Sequence, residues 1–146
     1  MKILNVNNYH YVRGGSDRHY LDLGELLIKN GHEVVWFSTS FQNKAMKGAY
    51  FLEPGDFKRF SVKNVFNFLY SYPARNKIRK IIKIEKPDIA HLHIYYGYFT
   101  SAILAPLKRA GIPIIQTLHD YRLICPANNL VSHGNICESC RGRFFF

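Results

Sequence analysis

The opening of the chain alternates two apolar runs with one amphipathic stretch, and glycines punctuate both joins. "KILNVN" (2–7) has the length and residue types of a strand. "SDRHYLDLGELLIKN" follows, with Tyr20, Leu23, Gly24 and Leu27 at the i, i+3, i+4, i+7 spacing of one buried helix face. Arg18, Asp22, Glu25 and Lys29 fall on the other side, where Glu25 and Lys29 are spaced to pair. Ser16 is the expected N-cap, Asn30 the approximate end and Gly31 the stop. "HEVVWFSTS" (32–40) is a second strand. A strand, a helix and a strand this close together form a right-handed crossover with parallel strands, and that excludes most all-α and all-β folds.

Further along, the same alternation returns. "ARNKIRKIIKIE" (74–85) carries Ile78, Ile81 and Ile82 on one side and basic residues on the other. "PDIAHLHI" (87–94) is a third strand, "YFTSAILAPLKRAG" (98–111) a helix that Pro106 must kink or shorten, and "IPIIQTLHD" (112–120) a fourth strand. Residues 42–73 have no clean period and read mostly as loop, with "SVKNVFNFLYSY" (61–72) as a short helix. The expected fold is an open, mainly parallel, doubly wound α/β sheet of Rossmann-like type. It would occupy residues 1–120, followed by a cysteine-containing loop over 121–146. The bare "FFF" end suggests a chain cut inside a larger domain.

In such a sheet, ligands bind outside the carboxyl ends of the strands. Three segments fall there: "NYHYVRGGS", "HIYYGY" and "HDYRL". Gly14 and Gly15 serve either a tight turn or the close approach of an anion to a helix N-terminus. Neither G-x-G-x-x-G nor the Walker pattern is present. His91 and His93 differ by two and share a strand face; His93 is nearer the carboxyl end, and His91 reads as a core histidine.

The series "GGSDRHYLDLGELLIKNGHEV", "KPDIAHLH", "GIPIIQTLHDY", with "HDYRLICP" and "ICESC", resembles the N-terminal domain of family 4 glycosyltransferases, in particular a bacterial polysaccharide-synthesis branch. The resemblance spans nearly the whole chain. It implies the N-terminal half of a GT-B fold and retaining transfer from a nucleotide-sugar donor to a glycan or lipid-linked acceptor. No cofactor is needed for that transfer. It further implies that Gly14 and Gly15 meet the donor diphosphate, that His119 is the catalytic histidine beside the reacting sugar, and that His93, Asp120 and Tyr121 contact the acceptor. A second domain with a paired-glutamate E-x7-E motif completes such enzymes, so this chain alone is expected to be inactive. Asp120 also suits a plain turn cap, and a strand-end histidine a structural role.

The formal net charge of +10 favours anionic partners. The basic helix Lys77–Lys86, with "FKRFSVKNVFNFLYSY" before it, fits either an anionic membrane surface or a solvated lysine face. No nucleic-acid recognition motif is present, so no nucleic-acid partner is expected. Cys125, Cys137 and Cys140 read C-x11-C-x2-C, which suits either a structural zinc, with His133 or a residue beyond Phe146 as fourth ligand, or reduced thiols. The N-terminus does not read as a signal peptide, and the expected location is cytoplasmic, peripheral at the inner face of the membrane. Two other classes remain open: a nucleotide-binding Rossmann module of another enzyme, and a zinc-supported interaction module. Against the first, "VVWFSTS" lacks the acidic residue that holds a ribose.

Overall fold

A computed structural model describes residues 1–39, 48–53 and 69–140. The elements in chain order are β1 (Lys2–Val6), α1 (Gly15–Lys29), β2 (Glu33–Thr39), β3 (Ala49–Leu52) and α2 (Tyr72–Glu85). After these come β4 (Ile89–Leu92), a 3-10 turn (Ser101–Ile103), α3 (Leu104–Arg109), β5 (Ile114–Gln116), and the short strands β6 (Val131–Ser132) and β7 (Asn135–Ile136). The first five strands form one sheet in the order β3-β2-β1-β4-β5. Every pairing in it is parallel. The expected Rossmann-like α/β class is therefore the observed one.

Period-two alternation divides the strand residues between two cores. Leu4, Val6, Val35, Phe37, Ala90 and Leu92 face α2 and α3, packing on Ala74, Ile78, Ile81, Ile103 and Leu107. Val34 and Trp36 face α1, around Tyr20. Burial on both faces explains why "VVWFST" is an unbroken run rather than an alternating one. Asn5, His91 and His93 share the α1 side, which places polar side chains beside that helix.

Several local expectations are corrected. The N-cap of α1 is Gly14, not Ser16, because the Asp17 carboxylate accepts from the N–H groups of Arg13 and Gly14, each at 3.2 Å. The i,i+4 ion pair on the helix is Arg18–Asp22 at 3.3 Å rather than Glu25–Lys29. Within the stretch read as loop, residues 49–52 add an edge strand too short to show a period. Most of the helix expected over 61–72 lies outside the described residues; α2 starts at Tyr72, capped by Ser71, with Pro73 in its first turn. The helix read over 98–111 is shortened, as Pro106 was expected to require: α3 keeps only Leu104–Arg109, with Pro106 third, where its missing N–H has no intrahelical partner to lose. The loop after residue 120 contains a two-residue hairpin: His133 and Gly134 both have positive φ, the geometry of a type I′ turn between β6 and β7.

Gly24 is the contact point between α1 and the sheet. A Cβ there would sit 1.9 Å from Cη2 of Trp36, itself buried. Gly24→Ala should therefore destabilise the fold by about 2 kcal/mol through overpacking, despite alanine's better helix propensity. Urea unfolding of the two proteins measures this, and an unchanged midpoint would show that the indole can move aside.

Candidate functional site

The sheet order makes β1 the switch point. The chain leaves β1 through α1 towards β2, while β4 and β5 are added on the other side of β1. Loops following β1 and β4 therefore diverge and leave a crevice at the carboxyl ends. Asparagines stitch its floor: Asn8 N–H donates to the Ile94 carbonyl at 2.7 Å. Its side-chain Nδ2 donates to the Tyr96 carbonyl, also at 2.7 Å. Asn7 Oδ1 accepts from Ile94 N–H at 3.2 Å, and the Thr39 hydroxyl donates to the Asn8 carbonyl.

Gly14 and Gly15 are exposed at one rim of this crevice. Gly14 has φ −157°, an extended conformation open to any residue, and a Cβ on either glycine would meet nothing within 4 Å. The turn itself does not require glycine here. The first intrahelical bond runs from Arg18 N–H to the Gly14 carbonyl at 3.1 Å, so the N–H groups of Gly15, Ser16 and Asp17 have no partner within the helix. These three can receive an anion, helped by the helix dipole. The N–H groups of Arg13 and Gly14 are already taken by Asp17, whose other oxygen accepts from Asn7 Nδ2 at 2.8 Å.

One helical turn beyond Gly15, His19 reaches a histidine cluster that the sequence reading did not include. Its ring lies 5.6 Å from that of His93 and 5.4 Å from that of His119, centroid to centroid. His93 Nδ1 is 3.1 Å from His119 Nε2, and His93 Nε2 is 3.0 Å from Asn5 Oδ1. His91 bonds laterally, with Nε2 2.8 Å from the Thr117 hydroxyl. His93, expected to contact an acceptor, is fully buried and stands behind His119. Its burial, reinforced by His91, His119 and His19, lowers its pKa to about 3. Burial and His19 likewise lower that of His119, against smaller opposite effects of Asp120 and Asp17. His91 is lowered by burial, then by His19 and His119. The signals for the missed residues were weak but present: His19 is four residues from Gly15, and Asn5 is a polar residue inside an apolar strand.

His119 is partly exposed and lines a cavity of about 300 Å³ with Leu118, Asp120, Tyr121, Leu123 and Ile124. Asp120 is engaged locally: its Oδ1 accepts from Arg122 N–H at 3.0 Å and its Oδ2 pairs with the Arg122 guanidinium at 3.4 Å. That guanidinium lies over the Tyr96 ring, 5.0 Å from its centroid. Tyr121 is exposed, so its ring is available at the cavity mouth. His19, one turn along α1 from Gly15, thus meets His119, whose cavity Tyr121 also lines.

Cys125, Cys137 and Cys140 line a separate cavity of about 390 Å³ beside the hairpin. Backbone N–H groups, that of Leu130 foremost, lower the Cys125 thiol pKa, and Ser139 lowers that of Cys137. Among the described residues, no three His, Cys, Asp or Glu side chains are arranged to hold a metal ion. No helix among the described residues is long and apolar enough to cross a membrane.

Compared with known families, residues 13–133 match the profile described as Glycosyltransferase Family 4. No curated protein matches the sequence significantly.

The depressed pKa of His93 carries a stability consequence. The folded state favours the neutral ring, so this contribution is complete above the ordinary histidine value of 6.5 and is lost as pH falls from there towards 3. Between pH 7 and 4.5 the chain should lose about 2 kcal/mol more stability than the His93→Gln variant. Urea melts of both proteins at the two pH values test this; parallel losses would contradict a neutral buried His93.

Proposed function

The chain belongs to glycosyltransferase family 4, and on that premise we propose that it forms the acceptor-side wall of a retaining, nucleotide-sugar-dependent transferase. The observation that carries this reading is the convergence on one crevice of the free first-turn N–H groups of α1, His19 and His119. A nucleotide sugar presents two chemistries that suit it. The diphosphate is an anion for the N–H groups of Gly15, Ser16 and Asp17. The sugar presents hydroxyls for a neutral imidazole, and His119 is held neutral by burial and by His19.

The role of the glycines follows from what they leave out. Neither the backbone conformation nor a tight contact calls for glycine at position 15, so a side chain there would occupy ligand space rather than disturb the fold. Base and ribose are assigned in this reading to a second Rossmann-like domain facing the crevice, so that this domain by itself turns over no donor. A dinucleotide-binding module is disfavoured, since β2 ends in Ser38 and Thr39 with no carboxylate for a ribose.

The acceptor in this reading is a glycan or lipid-linked saccharide of cell-surface polysaccharide synthesis. Arg79, Lys80, Lys83 and Lys86, exposed at and just beyond the outer face of α2, suit peripheral attachment to an anionic membrane at its inner side.

The direct test is transfer from radiolabelled nucleotide sugars by the full-length protein carrying this domain. Gly15→Val should lower transfer at least about tenfold, the scale of one lost charge-assisted contact, while the melting temperature stays within a degree or so. Unchanged transfer would reduce the glycine pair to a turn, and no transfer by the parent protein from any donor would remove the reading.

A further inference from the structure

The buried polar chain behind His119 fixes where its proton sits. A backbone carbonyl only accepts hydrogen bonds, so the Asn5 side-chain nitrogen is the group that faces the Tyr20 carbonyl, at 3.3 Å. Its oxygen, Oδ1, is then the group 3.0 Å from His93 Nε2, and an amide oxygen likewise only accepts. His93 Nε2 must carry the hydrogen. A neutral imidazole carries one N–H, so His93 Nδ1 holds a lone pair and can only accept from His119 Nε2, 3.1 Å away.

The geometry points to a positioning relay in which Asn5 and His93 lock His119 as its Nε2–H tautomer, leaving Nδ1 as a fixed hydrogen-bond acceptor. His93 touches no ligand, being fully buried; it acts through His119 alone. The relay gives His119 a chemical preference. A bare Nδ1 accepts from a hydroxyl and repels the oxygens of a phosphate, so the ligand group at His119 is an O–H donor, a saccharide hydroxyl. This naming of the ligand rests on the transferase reading; the relay itself does not.

The groups facing His119 are consistent with that division of labour. His19 and Asp17 approach from α1, His93 from β4, and Asp120 adjoins it in the loop. His91, the other histidine on the β4 face, is turned to Thr117 and completes the neutral surroundings of His93. The diphosphate is left to the helix N-terminus, one turn away from His19 along α1.

Long-range proton–nitrogen NMR of the histidine-labelled chain reads the tautomers directly. His93 and His119 should each be protonated at Nε2 with a bare Nδ1, and a through-bond coupling should join His119 Nε2 to His93 Nδ1. A His119 found as Nδ1–H, or averaging between tautomers, would overturn the relay. Asn5→Asp supplies a second reading: the new carboxylate should raise His93 from about 3, and the protonated ring would then donate to His119 Nε2 and switch it to Nδ1–H. An unchanged His93 titration in a folded variant would also overturn the relay, and if that variant does not fold the parent spectrum decides. Failure of either kind leaves the transferase reading standing, since that is judged by sugar transfer.

Discussion

Asn5, the fourth of the five residues of the central strand, is fully buried, with an amide that must be satisfied at both ends. Left unpaired, each end would cost about 1–3 kcal/mol. The nitrogen finds the Tyr20 carbonyl on α1 and the oxygen finds His93 on β4. One side chain therefore sets the seating of α1 on the sheet and the orientation of the histidine behind the crevice. Trp36 and Gly24 complete the seating from the neighbouring strand, since the indole occupies the space where a helix side chain would be. The crevice geometry is a consequence of these two contacts on one face of the sheet, while the larger apolar core lies on the other.

Asp17 is the second organising residue. A carboxylate in the first turn complements the helix dipole, and here it also fixes the approach of the loop by holding two of its N–H groups and the Asn7 amide. The same charge limits the anion site, because the loop N–H groups are spent and only those of the first turn remain. A ligand phosphate at this terminus meets an existing negative charge behind it. That arrangement suits a diphosphate held between two domains better than one gripped by this domain alone.

The parallel sheet, α1 and α2 were legible because each rests on a strong local signal: an apolar run or a 3.6-residue period. β3 was not, since four residues at a sheet edge, "AYFL", show no periodicity and are recruited by pairing with β2. The helix start was misplaced because Ser16 is a good cap by type, whereas the carboxylate of Asp17 reaches back to Gly14 and takes the role. The shared face of His91 and His93 followed from period two, but their depth did not. His93 pairs with Asn5 and His119, residues remote in sequence, and burial is decided by α1 lying over it. His19 and Asn5 escaped notice for the same reason: each gains meaning only from a partner on another element.

If the crevice at the ends of β1, β4 and β5 is the ligand site, a nucleoside diphosphate should mark it even at the weak affinity of a single domain. The most direct measurement is a titration of the isotopically labelled chain with uridine diphosphate, followed by backbone amide NMR. The largest shifts are expected at Gly15, Ser16 and Asp17, with smaller ones at His19 and His119. Shifts confined to the β6–β7 hairpin or to the basic face of α2, or none in the first turn of α1, would contradict the placement of the site.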